Sequence, residues 1–502
     1  MNHLPALKNF FRILAFSLLL FSCKKEEDLS LTRILVEGTV AYYDGNTATS
    51  TATLPTTTDF SSLQVDFETN AGEIRSGDRV LARTNTGIDL TQPLPVKVTK
   101  GKVTQEFAVA VRNTGLPVVR IETPGHQEIT SKEVWMEGAS IRIELPDGTV
   151  DFQGNTEIRG RGNSTWEWYP KKPYALRLEK KNEILSMPSH KRWILLANWK
   201  DRTLLRNDAA FWLSRHTGLP YTVRGQFVEL VLNGKHKGNY YLCEQIKLNK
   251  NRVNIKQMDP METDPVKITG GYLLELDTYY DEPYRFRYPQ LFDLPWMVKE
   301  PDDDELSDVA YEYIKGWIKD LETLFKDNAR VQAHEYEEYL DVDTAIDYLL
   351  VEELTGNHDF YNTWPSNGPH STYMYKERGG KLYTGPVWDF DYHVFIPNRT
   401  QQWAGAKQTL FYPALLKDEK FCARLVERWN LQKDVLKGLP DYIDEMADKI
   451  RVSEAYNIAM WPISNDENGD EKMTFQESID RIKKAFLDKW EWMDKNIGNL
   501  RL

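Results

Sequence analysis

"VWDFDYHVF", residues 387–395, sets two carboxylates inside an aromatic and branched run. Such residues predict a strand. On a strand, Asp389, Asp391 and His393 share one face, and Trp388, Phe390 and Tyr392 share the other. The aromatic face then packs into a core and the acids point into a cleft. Neighbouring carboxylates repel, and one holds its proton unless a cation relieves the conflict. Oxygen ligands suit Mg²⁺ or Ca²⁺, and Mg²⁺ is often held by one or two carboxylates together with substrate phosphates. On spacing alone, a sheet edge with solvated acids is the alternative.

Reading upstream, "STYMYKERGGKLYTGPV" forms a hairpin turning at Gly379-Gly380, and "TGNHDFYN" places Asp359 just after a helical run. The order is helix, loop acid, hairpin, acid pair. Protein kinases use that order for a catalytic-loop Asp and a metal-binding Asp. Farther upstream lies "IRGRGNSTWEWYPKKPYALRLEKK" (158–181). Gly160 and Gly162 allow close approach of backbone to a ligand. Arg159, Arg161, Lys171, Lys172 and Arg177 concentrate positive charge there. On a strand, Lys172 can reach a phosphate oxygen; a basic surface hairpin is the plainer reading.

The chain of 502 residues is long enough for more than one domain, and its net charge of −12 comes with no block of Lys and Arg. That argues against nucleic acid as the main partner. Three cysteines imply no disulfide framework; Cys243 and Cys422 read as small buried side chains. Lys8 and Arg12 precede an apolar run, Ile13 to Phe21, of signal-peptide length. Leu20-Phe21-Ser22-Cys23 resembles a bacterial lipobox, which would make Cys23 the lipidation site; an ordinary secretory signal cut nearby is the alternative. The expectation is a signal peptide over 1–22, a charged tether over 23–29 and a lipid anchor in the outer membrane, with surface exposure an open possibility.

Residues 30–116 show short strands and frequent turns, with Phe107, Val109 and Val111 alternating beyond a hairpin at Lys100-Gly101. An immunoglobulin-like sandwich is expected. Residues 117–502 start with strands and turn helical: 305–325 and 344–354 repeat apolar positions at three and four, and Thr474 with Glu477 forms a capping box. That order describes an α+β fold with two lobes. The loop "SNDENGDEK" (464–472) lacks EF-hand spacing and reads as solvated.

"IRGRGNSTW", "KKPYALRL", "WILLANWKDRTLLRNDAAFWLS", "FVELVLNGKHKGNYYLCEQI", "GGYLLELD" and "GPVWDFD" occur in this order. Together they resemble the CotH kinase family over roughly 117–502. The resemblance implies an atypical protein-kinase-like fold that binds ATP and Mg²⁺ and phosphorylates protein substrates. It implies that Lys172, or Lys171, holds the phosphates, that Asp359 is the catalytic-loop acid and that Asp389 or Asp391 binds the metal. It further implies that Trp388 stacks on adenine, that the loop from Arg159 through Arg161 to Asn163 covers the phosphates, and that Glu244 lies on the nucleotide side. Segment 202–216 stands where a kinase has its regulatory helix and offers Asp208 to the lysine. Asn362 and Asn367 are alternative ligands for a second metal. No glycine follows the acid pair, where Tyr392-His393 stand, and ATP is scarce outside the inner membrane. Two functions follow: phosphoryl transfer to Ser or Thr of a surface protein, or an inactive lipoprotein using the cleft to bind glycan or protein. A sugar-degrading enzyme is a third, weaker reading, because the acid pair is too close for the usual carboxylate separation.

Overall fold

The computed structural model describes residues 29–54, 58–301, 305–361, 369–463 and 467–502. The expected signal peptide, Cys23, nearly all of the tether, Asn362 and Asn367 lie outside these. Alternation decides the first region. Val96, Val98, Phe107 and Val109 are buried while their neighbours face outward, so each strand offers one apolar face. A four-stranded and a six-stranded sheet result, enclosing a core that includes Val36, Val65, Phe67 and Val109. The last of these strands, Val103–Arg112, pairs antiparallel with Leu94–Lys100 across the Lys100-Gly101 turn and parallel with Thr49–Thr53.

Seven longer strands follow: β1 (Val118–Glu122), β2 (Met136–Glu144), β3 (Val150–Gly160), β4 (Tyr174–Ile184), β5 (Met187–Leu196), β6 (Gly225–Leu232) and β7 (Lys235–Glu244). They form a closed barrel in the order β1-β2-β3-β4-β5-β7-β6. Closure comes from the parallel pairing of β1 with β6, Val118 opposite Glu229. Ile121, Ile141, Leu176, Trp193, Val228 and Leu242 belong to its core.

Beyond the barrel the chain builds a second sheet from β8 (Tyr272–Leu276), β9 (Arg285–Phe286), β10 (Trp296–Glu300), β11 (Thr372–Lys376) and β12 (Leu382–Thr384). Its order is β9-β10-β8-β11-β12. Six long helices accompany it: α1 (Arg206–Arg215), α2 (Asp308–Lys326), α3 (Val342–Thr355), α4 (Glu419–Leu436), α5 (Leu439–Met460) and α6 (Phe475–Asn496). In α2 the apolar positions Ala310, Ile314, Ile318, Leu321 and Phe325 form one buried stripe, and Ser307 caps the helix by accepting from Ala310 N–H. In α3 burial extends almost all round, so this helix lies at the centre of the larger core. Asp341 caps its start, and Gly356, at φ 64°, ends it. The capping box of Thr474 and Glu477 opens α6. The fold is α+β, with an all-β region ahead of the barrel. Among the described residues no helix is long and apolar enough to cross a membrane.

Two expectations are corrected. Residues 387–395 are not a strand. Positive φ at Asp389 (70°), His393 (50°) and Phe395 (56°) breaks the pleat. Instead of a ladder, separate partners take up its N–H groups: Phe390 N–H donates to Asn207 Oδ1 at 2.8 Å, His393 N–H to Asn468 Oδ1 at 2.7 Å and Phe395 N–H to the Thr355 carbonyl at 2.8 Å. The described part of loop 464–472 is not wholly solvated either: Gly469 and Lys472 are exposed, but two of its polar side chains are not. Asn468 and Asp470 are buried, because Arg206 and Arg481 draw Asp470 inward.

Candidate active site

A cleft of about 920 Å³ lies between the barrel and the second sheet. Part of its lining is apolar: Ala175, Ile194, Leu196, Ile246, Leu273 and Met297. Strands β4, β5, β8 and β10 supply five of these, since residues that leave the barrel core at β4 and β5 face the neighbouring sheet. The loop after β3 forms a wall through Arg161, Gly162, Asn163 and Ser164. It needs Gly160 because a Cβ there would enter the Trp166 ring, and Gly162 because φ is +85° and Thr165 crowds it.

The floor carries the charge. Asp359, Asp389, Asp391 and Lys200 all line the cleft. Asp359 comes from the short helix His358–Tyr361, just beyond α3. The two other acids are half-buried. Burial, followed by the charge of Asp389, pushes the Asp391 carboxyl up to about 7, and Asp359 adds to this against the pull of Lys200. Asp389 is raised too, by burial and then by Asp359. Ser371 O–H donates to Asp389 Oδ2 at 3.1 Å, and its N–H donates to Asp277 Oδ2 at 3.1 Å. Asp277 also pairs with His370 at 3.4 Å. Burial opposes the Lys200 ammonium, but Asp391, Tyr169, Glu467 and Asp359 outweigh it and raise its pKa. Its Nζ sits 4.5 Å above the Tyr392 ring and 3.6 Å from Glu467. A cluster of three acids facing one lysine can bind a cation and a polyanion together.

The family model described as CotH kinase protein matches residues 158–493, more than half of the chain. The chain belongs to the CotH kinase family. No curated protein matches it. The matched span contains the cleft's glycine loop, its acids and Lys200.

Within this CotH kinase domain the expected residues separate into two groups. Arg159, Arg161, Asn163, Asp359, Asp389 and Asp391 line the cleft, and so does Trp388. The remaining assignments are corrected. Lys171 is buried, donating to the Ala197 carbonyl at 2.7 Å and to the Asn239 carbonyl, and burial lowers it to about 7. Lys172 donates to the Trp166 carbonyl. Neither lysine lines the cleft: both precede β4, which starts at Tyr174, and their ammonium groups are taken up by backbone carbonyls. Glu244 is fully buried and held by Arg224, Arg252 and Tyr221; its neighbour Gln245 lines the cleft. Trp388 is 5 % exposed, stacked on Phe211 at 5.8 Å and covered by the Arg161 guanidinium at 4.8 Å, so no base stacks on it. Asp208 accepts from the Tyr241 and Tyr442 hydroxyls at 2.8 and 2.7 Å rather than meeting a cleft lysine. His393 and Tyr392 stack together at 4.1 Å instead of dividing between two faces.

Three contributors were not singled out: Lys200, Asp277 and Asn468. Lys200 and Asp277 each follow an apolar strand, in "WILLANWK" and "YLLELD". A charged residue at the end of a buried strand was the available signal. Asn468 had none.

Among the described residues no group of three or more His, Cys, Asp and Glu side chains closes around one point. Asp389 and Asp391 still supply hard oxygen donors whose mutual repulsion a cation removes. They fit an ion such as Mg²⁺ that completes its shell with water and phosphate oxygens.

Proposed function

We propose that the cleft binds ATP with Mg²⁺ and transfers the γ-phosphoryl group to a Ser or Thr hydroxyl of a secreted or surface protein. The observation that carries this reading is the meeting of Asp359, Asp389 and Asp391 with Lys200 at the floor of a large cleft inside the family-matched span. The barrel, the cleft and the helical part are read as the two lobes and active site of an atypical kinase. Membership of the CotH kinase family supports that reading at the level of the family.

The apolar lining takes the base, and the Arg161–Ser164 loop lies over the phosphates. Lys200 offsets phosphate charge in a site of low dielectric. Asp389 and Asp391 would hold Mg²⁺, which would neutralise charge building on the phosphate oxygens. Asp359 orients the acceptor hydroxyl and takes its proton as the new O–P bond forms and the bond to the ADP oxygen breaks. The sequence before residue 30 supports export and lipidation at Cys23, and the all-β region is read as an immunoglobulin-like spacer. Loss of palmitate labelling and of membrane fractionation in Cys23→Ser would test the anchor; labelling that persists would rule it out.

A protein spanning residues 30–502 with Mg·ATP at about 100 times its dissociation constant should gain about 2.7 kcal/mol of stability. Asp389→Ala and Asp391→Ala should lose that gain. No shift in Tm with any nucleotide would instead favour a glycan- or protein-binding module, which the covered Trp388 ring and the absent glycine after the acid pair would suit. Radiolabel transfer from ATP to a surface protein separates a kinase from a nucleotide-binding pseudoenzyme.

A further inference from the structure

Two segments bring the floor charges together, the turn carrying Lys200 and the loop carrying Asp391. Both are irregular, so no strand ladder fixes their separation. One side chain bridges them. Asn468 Nδ2 donates to the Lys200 carbonyl at 2.8 Å and to the Asp391 carbonyl at 3.0 Å. Its Oδ1 accepts from His393 N–H at 2.7 Å. An amide offers two donors and an acceptor on one plane, which these three backbone groups require. Asn468 is 2 % exposed, so a lost bond is not replaced by bulk water.

Asn468 is itself held from a distance. Arg481 Nη1 donates to its carbonyl at 2.7 Å, and its own N–H donates to Glu471 Oε1 at 2.7 Å. Two residues on, Asp470 pairs with Arg206, which also binds Asp201 and donates to the Val394 carbonyl at 3.1 Å. The strap 467–471 therefore ties the start of α1, the acid loop and α6 into one unit. Its sequence distance from the acids is large, and nothing in its composition marks it as part of the site.

We infer that Asn468 is a positioning residue of this centre, setting the distance between the Lys200 ammonium and the Asp391 carboxylate by clamping both backbones. The inference rests on the nucleotide-binding reading above for its consequence, but not for its geometry. The test has two arms on the protein spanning 30–502. Hydrogen exchange of 198–201 and 389–393 should quicken about tenfold in Asn468→Ala, with the barrel and α3 unchanged. The Mg²⁺ concentration needed for half-maximal ATP binding should rise about tenfold, as for other outer-shell partners of metal ligands, while ATP affinity in chelator stays put. A merely structural role would lower Tm and shift both affinities together, which would overturn the inference, as would wild-type exchange in both segments. Asn468→Asp, which keeps volume and acceptor but removes the donors, carries the same test if Asn468→Ala does not fold. A wild type that fails to bind Mg·ATP ends the functional reading and leaves the exchange arm decisive for Asn468.

Discussion

Two clusters of charge respond in opposite ways. One lies at the junction of the all-β region, the barrel and α5. There Arg112 binds His236, His236 binds Glu229, and Ser453 O–H donates to Glu229 Oε1 at 2.6 Å. Asn239 Nδ2 donates to Ser453 Oγ at 2.9 Å, and Lys171 caps the Asn239 carbonyl. The other lies at the cleft floor. Burial opposes the charged form of Glu229, yet His236, Arg112 and Ser453 win and draw it down to about 2. Asp391 goes up to about 7, because burial, and then the charges of Asp389 and Asp359, outweigh the pull of Lys200. The junction is balanced within the chain. The floor is left short of positive charge, and that shortfall is what a cation and a nucleotide would meet.

The junction is the easier to break. Glu229→Gln should cost about 3–5 kcal/mol at neutral pH, since it takes from buried His236 its carboxylate partner and from buried Arg112 the negative charge nearby. Urea unfolding would measure it. The pH dependence has a defined sign. Glu229 is lowered from its usual 4.5, so its contribution is complete above that value and is lost as pH falls toward 2. The variant should show a flatter stability curve across that window. An unchanged curve would mean that the junction contributes specificity rather than stability.

The floor should behave in the reverse sense. A carboxyl raised by its surroundings opposes folding when it is ionised. Asp391→Asn should therefore stabilise the protein in chelator by roughly 1–2 kcal/mol and abolish the further gain from Mg²⁺. Destabilisation in chelator would show that Lys200 already neutralises the site and would remove the contrast.

How legible each part was follows from the range of its forces. Local signals carried the order of elements. The stripe from Ala310 to Phe325, the Gly379-Gly380 hairpin and the Thr474 capping box depend on neighbours a few residues away. Barrel closure did not show, because Val118 meets Glu229 only after most of the strands are in place. The acid run looked like a strand since Val387, Trp388 and Phe390 have strand character, but Asn207 and Asn468 set its backbone from far off. The lysine pair 171–172 is adjacent to the glycine loop in sequence but not in the cleft, while Lys200, beside a tryptophan after an apolar strand, lines the floor. Asp389 and Asp391 were legible for a physical reason: carboxylates in an apolar run carry a cost, and that cost is visible without coordinates.

The smallest predicted effect lies at the start of α6. Thr474 Oγ1 accepts from Glu477 N–H at 3.3 Å, and Glu477 Oε2 accepts from Thr474 N–H at 2.8 Å. Thr474→Ala should cost about 1 kcal/mol, far less than loss of Glu229. The first turns of α6 also carry Ser478, whose hydroxyl donates to the Thr474 carbonyl at 3.0 Å, and Arg481, which holds the Asn468 carbonyl. Fraying there should loosen strap 467–471 and, through it, residues 389–393, while the junction at Glu229 keeps its exchange protection. Hydrogen exchange resolves the two. Loosening confined to α6 would mean that Arg206 alone holds the strap, and faster exchange at Glu229 would mean that floor and junction share one cooperative unit.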